Sequence, residues 1–381
     1  MNPLTSLQAR SGLAASAAAS TSIARFDRRC PDVYGNAHPQ ALLEAIREDG
    51  QALQALSNQH VVSSNQFDAQ VLLQLFRLAS KFESNLQRYI RFNSPLTGKL
   101  MINAFYEPST RTRLSFASAW HRLGGATITI TDRSTTGMAK GESLADIAEM
   151  FNNYGDCLVL RDSKADSIVQ MMDSLRIPII NAGNGIDEHP TQAMADLYTI
   201  FKWRPELIES NLSSSQAVRI GIVGIPNRMR TVRSLLRSLA RFPSMAKEVI
   251  LFHEPGLDPM EEGNYFDPGQ REELEDAGLS ITTSSQLQDW LPELDVIYIN
   301  AIAWIDDDYE VHGRSFILTS DLPYKKNAII LHPLARGAEL DTSVDHTPHN
   351  WYFAQARGAV FIRMALLTCL VERTDQVMDI I

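Results

Sequence analysis

Short apolar runs alternate with amphipathic segments over most of this 381-residue chain. The runs KLMINAFY, ATITIT, DCLVLR and IPIINAG predict buried strands, and segments with helical spacing, such as GESLADIAEMFNNY, separate them. A second series, VRIGIVGI, KEVILFHE, LDVIYINA and NAIILHP, repeats the alternation nearer the carboxyl end. Such alternation is typical of a parallel sheet covered by helices. The pattern therefore predicts an α/β protein of two Rossmann-like lobes with parallel sheets, joined by long helices, with a ligand cleft between the lobes.

A polar, turn-prone stretch, RPELIESNLSSSQ, lies between the two series and marks the expected domain boundary. We expect a first domain over residues 59–205 and a second over residues 206–350. The last helix is strongly apolar, so residues 351–381 should pack back on the first domain and complete it. We expect residues 1–58 to form a partly disordered extension, in which helical spacing of apolar residues predicts a short arm from His38 to Ser57.

The first 29 residues contain four arginines, one aspartate and a run of Ala, Ser and Thr. This composition suits an organellar transit peptide, and it also suits a disordered extension of a bacterial protein. We favour the disordered extension, because neither an apolar core nor a clear cleavage signal follows. The cysteines Cys30, Cys157 and Cys369 lie far apart without metal-ligand spacing, which indicates reduced thiols in a cytoplasmic protein and no metal site.

The composition and net charge argue against two classes of partner, nucleic acids and anionic membranes. The chain is 44% hydrophobic and 21% charged, as in ordinary globular enzymes, and its formal net charge is −10. A general nucleic-acid or anionic-membrane binder is usually basic, so neither is expected as a partner. No apolar run reaches the roughly 18 residues that span a bilayer.

The first chemical signal is the segment FYEPSTRTR at 105–113, between a predicted strand and an amphipathic helix. Its hydroxyls, at Ser109, Thr110 and Thr112, stand at a helix start beside Arg111, and this combination suits a bound phosphate. The alternative is a simple helix cap with arginines that face solvent. Neither a GxxxxGK[ST] loop nor a dinucleotide fingerprint is present, which argues against ATP, against NAD and against a dehydrogenase.

The segment YEPSTRTRLSF resembles the carbamoyl phosphate loop of the aspartate and ornithine carbamoyltransferase family. The segments AKGESLAD (139–146), HPTQ (189–192) and LHPLAR (331–336) follow in the family's order, and the tail at 345–367 is similar to the closing segment of its aspartate branch. The likeness covers roughly His60 to Arg373. HPTQ also resembles the aspartate branch, and the SMG loop of the ornithine branch has no match.

The resemblance implies roles for individual residues and requires no cofactor. Carbamoyl phosphate would be bound by Ser109, Thr110, Arg111, Thr112, Arg161, His189, Gln192, Pro333 and Leu334, and by Thr136 and Lys140 of a neighbouring chain. Arg111, Arg161, His189 and Lys140 would be catalytic. An amine attacks the carbamoyl carbon and phosphate departs, so the site needs converging hydrogen-bond donors rather than a nucleophilic side chain. Because a neighbour completes the site, the resemblance implies a homo-oligomer, of trimer type, with shared active sites.

The acceptor half of the site departs from the family pattern. Arg230 matches the arginine that holds the acceptor's α-carboxylate, Leu334 lies beside it, and we expect Glu107 to pair with Arg230 on closure. Ala301 and Ala303, however, stand where aspartate enzymes have an arginine and a glutamine, and loss of such a clamp would remove about 2 to 5 kcal/mol of binding. A second departure is Ala335, where the family usually has proline.

Two hypotheses about function follow from this mixture. In the first, the chain is an aspartate-type carbamoyltransferase in pyrimidine biosynthesis if the family acceptor is retained. Trp304 and the acidic run IDDDYE (305–310) could instead admit a bulkier, neutral or cationic amine, although the run could equally be a solvated loop. In the second hypothesis, the chain is a non-catalytic paralogue that acts as a partner or regulatory subunit. The sequence leaves open whether separate regulatory chains attach.

Overall fold

The computed structural model describes residues 37–85, 94–164, 166–185, 187–254, 258–261, 263, 265–300 and 313–377. The candidate transit segment and Cys30 lie outside the described residues. The described part contains two parallel sheets, one in each half of the chain. The predicted α/β architecture with two parallel sheets is confirmed.

The predicted arm is divided into two short helices, α1 (Pro39–Ala45) and α2 (Gly50–Gln54). The division falls at Asp49, whose carboxylate accepts hydrogen bonds from the backbone amides of the first turn of α2. A side-chain acceptor at this position satisfies amides that have no partner within the helix, which fixes where α2 begins.

The first lobe is built on strands β1 (Leu100–Phe105), β2 (Ala126–Ile130), β3 (Cys157–Arg161) and β4 (Ile179–Asn181). These strands are all parallel and lie in the order β2-β1-β3-β4. The helices of this lobe are α3 (Ala69–Ser84), α4 (Thr110–Arg122), α5 (Leu144–Tyr154), α6 (Ser167–Met172) and α7 (Pro190–Trp203). The inner strands β1 and β3 are almost completely buried, whereas the edge strand β2 is largely exposed.

The second lobe has strands β5 (Val218–Val223), β6 (Ala246–Phe252), β7 (Ile281–Ser284), β8 (Val296–Ile299) and β9 (Ile329–Leu331), in the parallel order β7-β6-β5-β8-β9. Its helices are α8 (Arg230–Leu239), α9 (Gln270–Asp276) and α10 (Leu287–Trp290). The sequence analysis missed β7, because three of its four residues are Thr or Ser and it lies at the edge of the sheet, where it needs little apolar surface.

The last helix, α11 (Tyr352–Leu370), contacts α3, α4 and α7 of the first lobe. Within the described residues it is the one helix long and apolar enough to cross a membrane, with a mean hydropathy of 1.3, but 78% of that window is buried in the protein. Arg357 and Arg363 interrupt the apolar run, which is why the sequence analysis did not count it as a span. Its burial explains its composition, because a helix that is buried over most of its surface is apolar on most of its faces.

The strand order places two sheet edges where ligands usually bind. In the first sheet the chain moves to opposite sides of β1, and the carboxyl ends of β1 and β3 meet where Phe105 pairs with Arg161. In the second sheet the same reversal occurs beside β5, where Val223 pairs with Ile299 of β8. Such reversals leave a crevice at the carboxyl ends of the strands, so each lobe offers the loops that follow these strands.

Candidate functional site

A cleft of about 1000 Å³ opens at the carboxyl ends of both sheets. From the first lobe it is lined by Glu107 to Thr112 and Leu114, Ser115, Ser118, Arg161, Ser163, Gly185, His189 and Gln192. From the second lobe it is lined by Arg228 to Thr231, Asn300 and His332 to Leu334, and from α11 by Gln355, Ala356, Ala359, Val360 and Arg363. The cleft therefore collects side chains from segments that are more than 200 residues apart in sequence.

The amino end of α4 forms one wall of the cleft. Ser109 occupies the position before the helix in extended conformation, but its hydroxyl makes no capping hydrogen bond. The alternative interpretation of this segment as a simple cap is therefore not supported at Ser109. Arg111 lies in the first turn, exposed and without an ion pair to any residue in the described part of the chain. The first-turn amides, the hydroxyls and this guanidinium together present donors to an anion.

A carboxylate and two arginines lie at the centre of the cleft. Glu107 accepts from Arg161 at 2.5 Å and from Arg230 at 3.0 Å, so the predicted pair of Glu107 and Arg230 is present. Arg230 also donates to the carbonyl oxygen of Gly185 at 2.5 Å. Burial alone would raise the pKa of Glu107, but its hydrogen bonds and charge interactions with Arg230 and Arg161 outweigh that effect and lower it. The carboxylate is therefore charged and keeps the two guanidinium groups close together.

Gly183 makes room for this arrangement. Its φ is +104°, and a Cβ atom there would lie 3.2 Å from Arg161 Nη1 and 3.2 Å from Arg230 Nε. A side chain at this position would combine a strained backbone with crowding against both guanidinium groups. The glycine therefore permits both arginines to reach the same end of the cleft.

His189 is buried at the start of α7, with its Nε2 atom 3.5 Å from the hydroxyl oxygen of Thr112. Its Nδ1 atom has no hydrogen-bond partner among the described residues, while its backbone amide donates to Ser234 Oγ at 2.9 Å. Burial, together with the charges of Arg363, Arg161 and Arg230, lowers the pKa of His189 well below its ordinary value. The imidazole is neutral at physiological pH and can donate one hydrogen bond to an oxygen in the cleft.

A chain of buried and partly buried hydrogen bonds connects the two lobes at the cleft. Asp196 Oδ1 accepts from Gln192 at 2.7 Å and from Gln355 at 2.5 Å. Gln355 Oε1 in turn accepts from the backbone amide of His332 at 2.8 Å, and His332 Nδ1 accepts from the amide of Leu334 at 2.8 Å. Residues on α7, α11 and the loop after β9 are thereby held in one hydrogen-bond network, which couples a segment of the first lobe to a segment of the second.

Comparison with known proteins decides the family. Residues 59–202 match the carbamoyl-P binding domain of aspartate/ornithine carbamoyltransferase, and residues 216–370 match its Asp/Orn binding domain. The chain belongs to the aspartate/ornithine carbamoyltransferase family. The resemblance found in the sequence motifs is thus confirmed, and the chain is a carbamoyltransferase of the aspartate type.

Similar proteins share most of this carbamoyltransferase's length. The aspartate carbamoyltransferase catalytic subunit of Alkaliphilus oremlandii is 35% identical over 84% of this chain and 93% of its own. That of Saccharolobus islandicus is 38% identical over 83% of this chain and 98% of its own. Aspartate transcarbamoylase from Trypanosoma cruzi, in complex with carbamoyl phosphate and aspartate, has a TM-score of 0.71 at 31% identity, covering 84% of this chain and 98% of that one.

The structure brings together most of the residues that the sequence analysis selected. The cleft of this carbamoyltransferase is lined by Ser109, Thr110, Arg111, Thr112, Arg161, His189, Gln192, Arg230, Pro333 and Leu334. Leu334 has a φ of +59°, and its peptide bond to Ala335 is cis. Ala301, Ala303, Trp304 and the acidic run at 305–310 lie outside the described residues.

Two predicted residues do not line the cleft of their own chain. Thr136 precedes a short turn, Gly137–Lys140, in the loop after β2, and Lys140 at its end is exposed. Neither residue is among those that line the cleft described above.

Arg363 is a cleft residue that the sequence analysis missed. It is buried on α11, donates to Ser115 Oγ at 2.5 Å, and lies 4.7 Å from the centre of the Phe116 ring. Burial lowers its pKa to about 9, while the charge of Asp196 acts in the opposite direction. An arginine inside a strongly apolar helix was the available signal, because a buried charge is rarely placed without a partner or a ligand.

Asp196→Asn is expected to change how stability depends on pH. Burial raises the pKa of Asp196 to about 7, against the hydrogen bonds from Gln355 and Gln192. In the unfolded chain the group titrates near 4, so the folded state holds the extra proton between about pH 4 and 7 and stability falls as pH rises through that window. Asparagine keeps the hydrogen-bond acceptor but never ionises, so it avoids this loss of stability. From pH 5 to pH 8 the free energy of unfolding of Asp196→Asn should rise relative to that of the parent by on the order of a few kcal/mol, and its relative Tm should rise with it.

Thermal unfolding of both proteins at several pH values measures this difference. If the substitution itself lowers stability by the same amount at every pH, the plot of Tm against pH for the variant is displaced from that of the parent but keeps the same slope. Parallel Tm curves between pH 5 and 8 would therefore show that Asp196 is already ionised in the folded protein at pH 5.

Proposed function

We propose that this carbamoyltransferase transfers the carbamoyl group of carbamoyl phosphate to the α-amine of an amino acid, with aspartate as the first candidate. The observation that carries the proposal is the convergence, at one cleft, of the α4 amino end, Arg161 and the neutral His189. The Trypanosoma cruzi relative, which binds carbamoyl phosphate and aspartate, supports this choice of substrates.

The reaction needs hydrogen-bond donors at the phosphate group and at the carbamoyl oxygen, and it needs no covalent intermediate with the enzyme. The phosphate would lie against the first turn of α4, where Arg111 and the hydroxyls compensate its charge. Arg161 and His189 would donate to the carbamoyl oxygen, which gains negative charge as the amine attacks the carbon. A new C–N bond forms, and the bond breaks between the carbamoyl carbon and the oxygen that links it to phosphorus. The departing phosphate accepts the proton that the amine loses.

The acceptor would enter from the second lobe. Arg230 would hold its α-carboxylate, and backbone groups of Pro333 and Leu334 would face its amine. The guanidinium of Arg230 contacts Glu107, so a bound carboxylate would share or replace that interaction. Loss of this arginine should therefore weaken every α-amino acid acceptor regardless of its side chain.

Formation of ureido products from carbamoyl phosphate and a panel of amino acids tests the proposal. The panel should contain aspartate, asparagine, glutamate, ornithine and alanine, each at millimolar concentration. Product from any of them supports carbamoyl transfer. Binding of carbamoyl phosphate without product from any amine would instead favour the non-catalytic paralogue, and co-purification with a second carbamoyltransferase would support that role.

We also propose a homotrimer with active sites shared between chains. The exposure of Lys140 and its absence from the cleft of its own chain support this arrangement. Mixing inactive Lys140→Ala and inactive His189→Ala chains, after dissociation and reassembly, is expected to restore activity, because hybrid assemblies then contain sites with neither substitution. Recovery from an equal mixture should reach about a quarter of the parental activity, measured by product formation.

Two controls accompany the hybrid experiment. Mixing His189→Ala with Arg111→Gln chains should restore nothing, because both substitutions fall in the same half of the site. Mass measurement in solution reports the assembly state directly. A fully active monomer, or no recovery from the first mixture, would contradict the sharing of sites.

A further inference from the structure

The cleft is strongly unbalanced in charge. Among the described residues that line it, the arginines are Arg111, Arg161, Arg228, Arg230 and Arg363, and the one acidic residue is Glu107. His189 contributes no charge, because its pKa is lowered well below the physiological range. This excess of positive charge favours ligands that carry several negative charges, because a ligand that covers these guanidinium groups removes water from them.

Four of the five arginines have an interaction or a role already described. Arg161 and Arg230 contact Glu107, Arg363 donates to Ser115, and Arg111 lies in the phosphate loop. Arg228 is different: it is half-buried and lines the cleft, yet its guanidinium has no hydrogen bond or ion pair with any residue that the structure describes. A partly buried guanidinium without a protein partner is suited to hold a ligand.

The position of Arg228 is in the acceptor half of the site. It lies in the loop that leaves the carboxyl end of β5, two residues before Arg230 opens α8. Both arginines therefore belong to the segment that follows the strand-order reversal of the second sheet. Two carboxylates on one short amino acid could be held by two guanidinium groups from this single segment.

Charge balance identifies the class of acceptor. Among the groups that line the cleft, the five arginines exceed the one charge of Glu107 and the nearly two charges of carbamoyl phosphate by about two, and Lys140 of a neighbouring chain would add to that excess. At the moment of reaction the acceptor amine is uncharged. A dicarboxylic amino acid then supplies two negative charges, a neutral side chain leaves only one, and a basic side chain leaves no net negative charge at all.

We propose that Arg228 is a specificity-determining residue that binds the side-chain carboxylate of a dicarboxylic amino-acid acceptor. It would take the place of the arginine clamp that the family pattern has at the position of Ala301. This inference rests on the proposed function, since it presumes carbamoyl transfer in this cleft. The inference implies that the acceptor is an acidic amino acid. It excludes the neutral or cationic amine that the departures from the family pattern at Ala301 and Ala303 otherwise suggest.

Binding of succinate to the carbamoyl phosphate complex tests Arg228 without requiring turnover. Succinate carries both carboxylates of aspartate and has no amine to react. By calorimetry at saturating carbamoyl phosphate, Arg228→Gln is expected to weaken succinate binding about 30-fold, and Arg228→Lys by less. Carbamoyl phosphate itself should bind both variants within about two-fold of the parent, because Arg228 belongs to the acceptor half.

The matched control is Lys247→Gln, which removes the same charge from an exposed position on β6 outside the cleft. It should leave both affinities unchanged. Kinetics give a second readout: the ratio of kcat/KM for aspartate to that for asparagine should be high in the parent and fall at least about ten-fold in Arg228→Gln.

The outcomes separate this inference from the function on which it rests. If the parent carbamoylates aspartate and Arg228→Gln binds succinate as tightly as the parent, another group holds the side chain and the role of Arg228 is wrong. If the parent prefers a neutral or basic amino acid, carbamoyl transfer stands and the dicarboxylic acceptor is wrong. If the parent binds no carbamoyl phosphate, the proposed function itself fails and this inference fails with it.

Discussion

Arg111→Gln is expected to weaken carbamoyl phosphate binding about 100-fold or more, because it removes a charged, potentially bidentate contact to the phosphate. The side chain lies in the first turn of α4, and it forms no ion pair with another described residue that would have to break on binding. Removing it should therefore act on the ligand rather than on the fold. Calorimetric titration with carbamoyl phosphate measures the change directly, and thermal unfolding checks that stability is kept.

The same loop provides a closely matched control for Arg111. Arg113 is two residues further along α4 and does not line the cleft. Arg113→Gln makes the same chemical change in the same helix turn, so it should bind carbamoyl phosphate like the parent. Equal affinities of Arg111→Gln and the parent would mean that the phosphate binds elsewhere, and the chemistry assigned to this cleft would then lose its basis.

The sequence predicted those parts of the fold that depend on local patterns. Apolar runs marked seven of the nine described strands, because buried parallel strands have no polar face. The edge strand β2 was found from its alternating Thr and Ile residues, although it is largely exposed and not buried as expected. The edge strand β7 escaped, since its Thr and Ser residues resemble a loop. The phosphate loop was found because its hydroxyls and arginine are consecutive in sequence, and their chemistry can be interpreted without the fold.

The sequence could not show contacts between segments that are distant along the chain and that the fold brings together. The chain of Gln192, Asp196, Gln355 and His332 connects α7 with residues more than 130 positions away. None of these side chains belongs to a local motif for a hydrogen-bond network. Arg228 was not selected from the sequence, because its position at the cleft depends on how the β5 to α8 loop folds over the end of the sheet.

Glu107 is a counter-ion within the cleft. Arg161 and Arg230 both lie beside Gly183, where their like charges repel each other. The carboxylate contacts both groups, offsets that repulsion and holds them in place. Glu107 therefore pre-organises one donor for the carbamoyl oxygen and one for the acceptor carboxylate, which is how a site gains rate rather than mere affinity.

His189→Ala is expected to lower kcat about 100-fold to 1000-fold, with a much smaller effect on carbamoyl phosphate binding. The neutral imidazole donates one hydrogen bond to an oxygen whose charge grows only as the amine attacks, so its contribution is largest in the transition state. Burial and the neighbouring arginines lower the pKa of His189, so the imidazole stays neutral and no decline in kcat between pH 8 and 6 should arise from its protonation. Steady-state kinetics of both proteins from pH 5.5 to 9 measure both effects.

His121→Ala is the matched control, because this histidine is exposed near the carboxyl end of α4 and lies outside the cleft. It should retain parental kcat at every pH. A His189→Ala enzyme with more than a tenth of the parental kcat would show that Arg161 alone suffices for the carbamoyl oxygen. An inflection near pH 6.5 in the parent that His189→Ala removes would show that the imidazole titrates in the cleft, because a histidine held neutral by burial and by three arginines releases its proton only at lower pH.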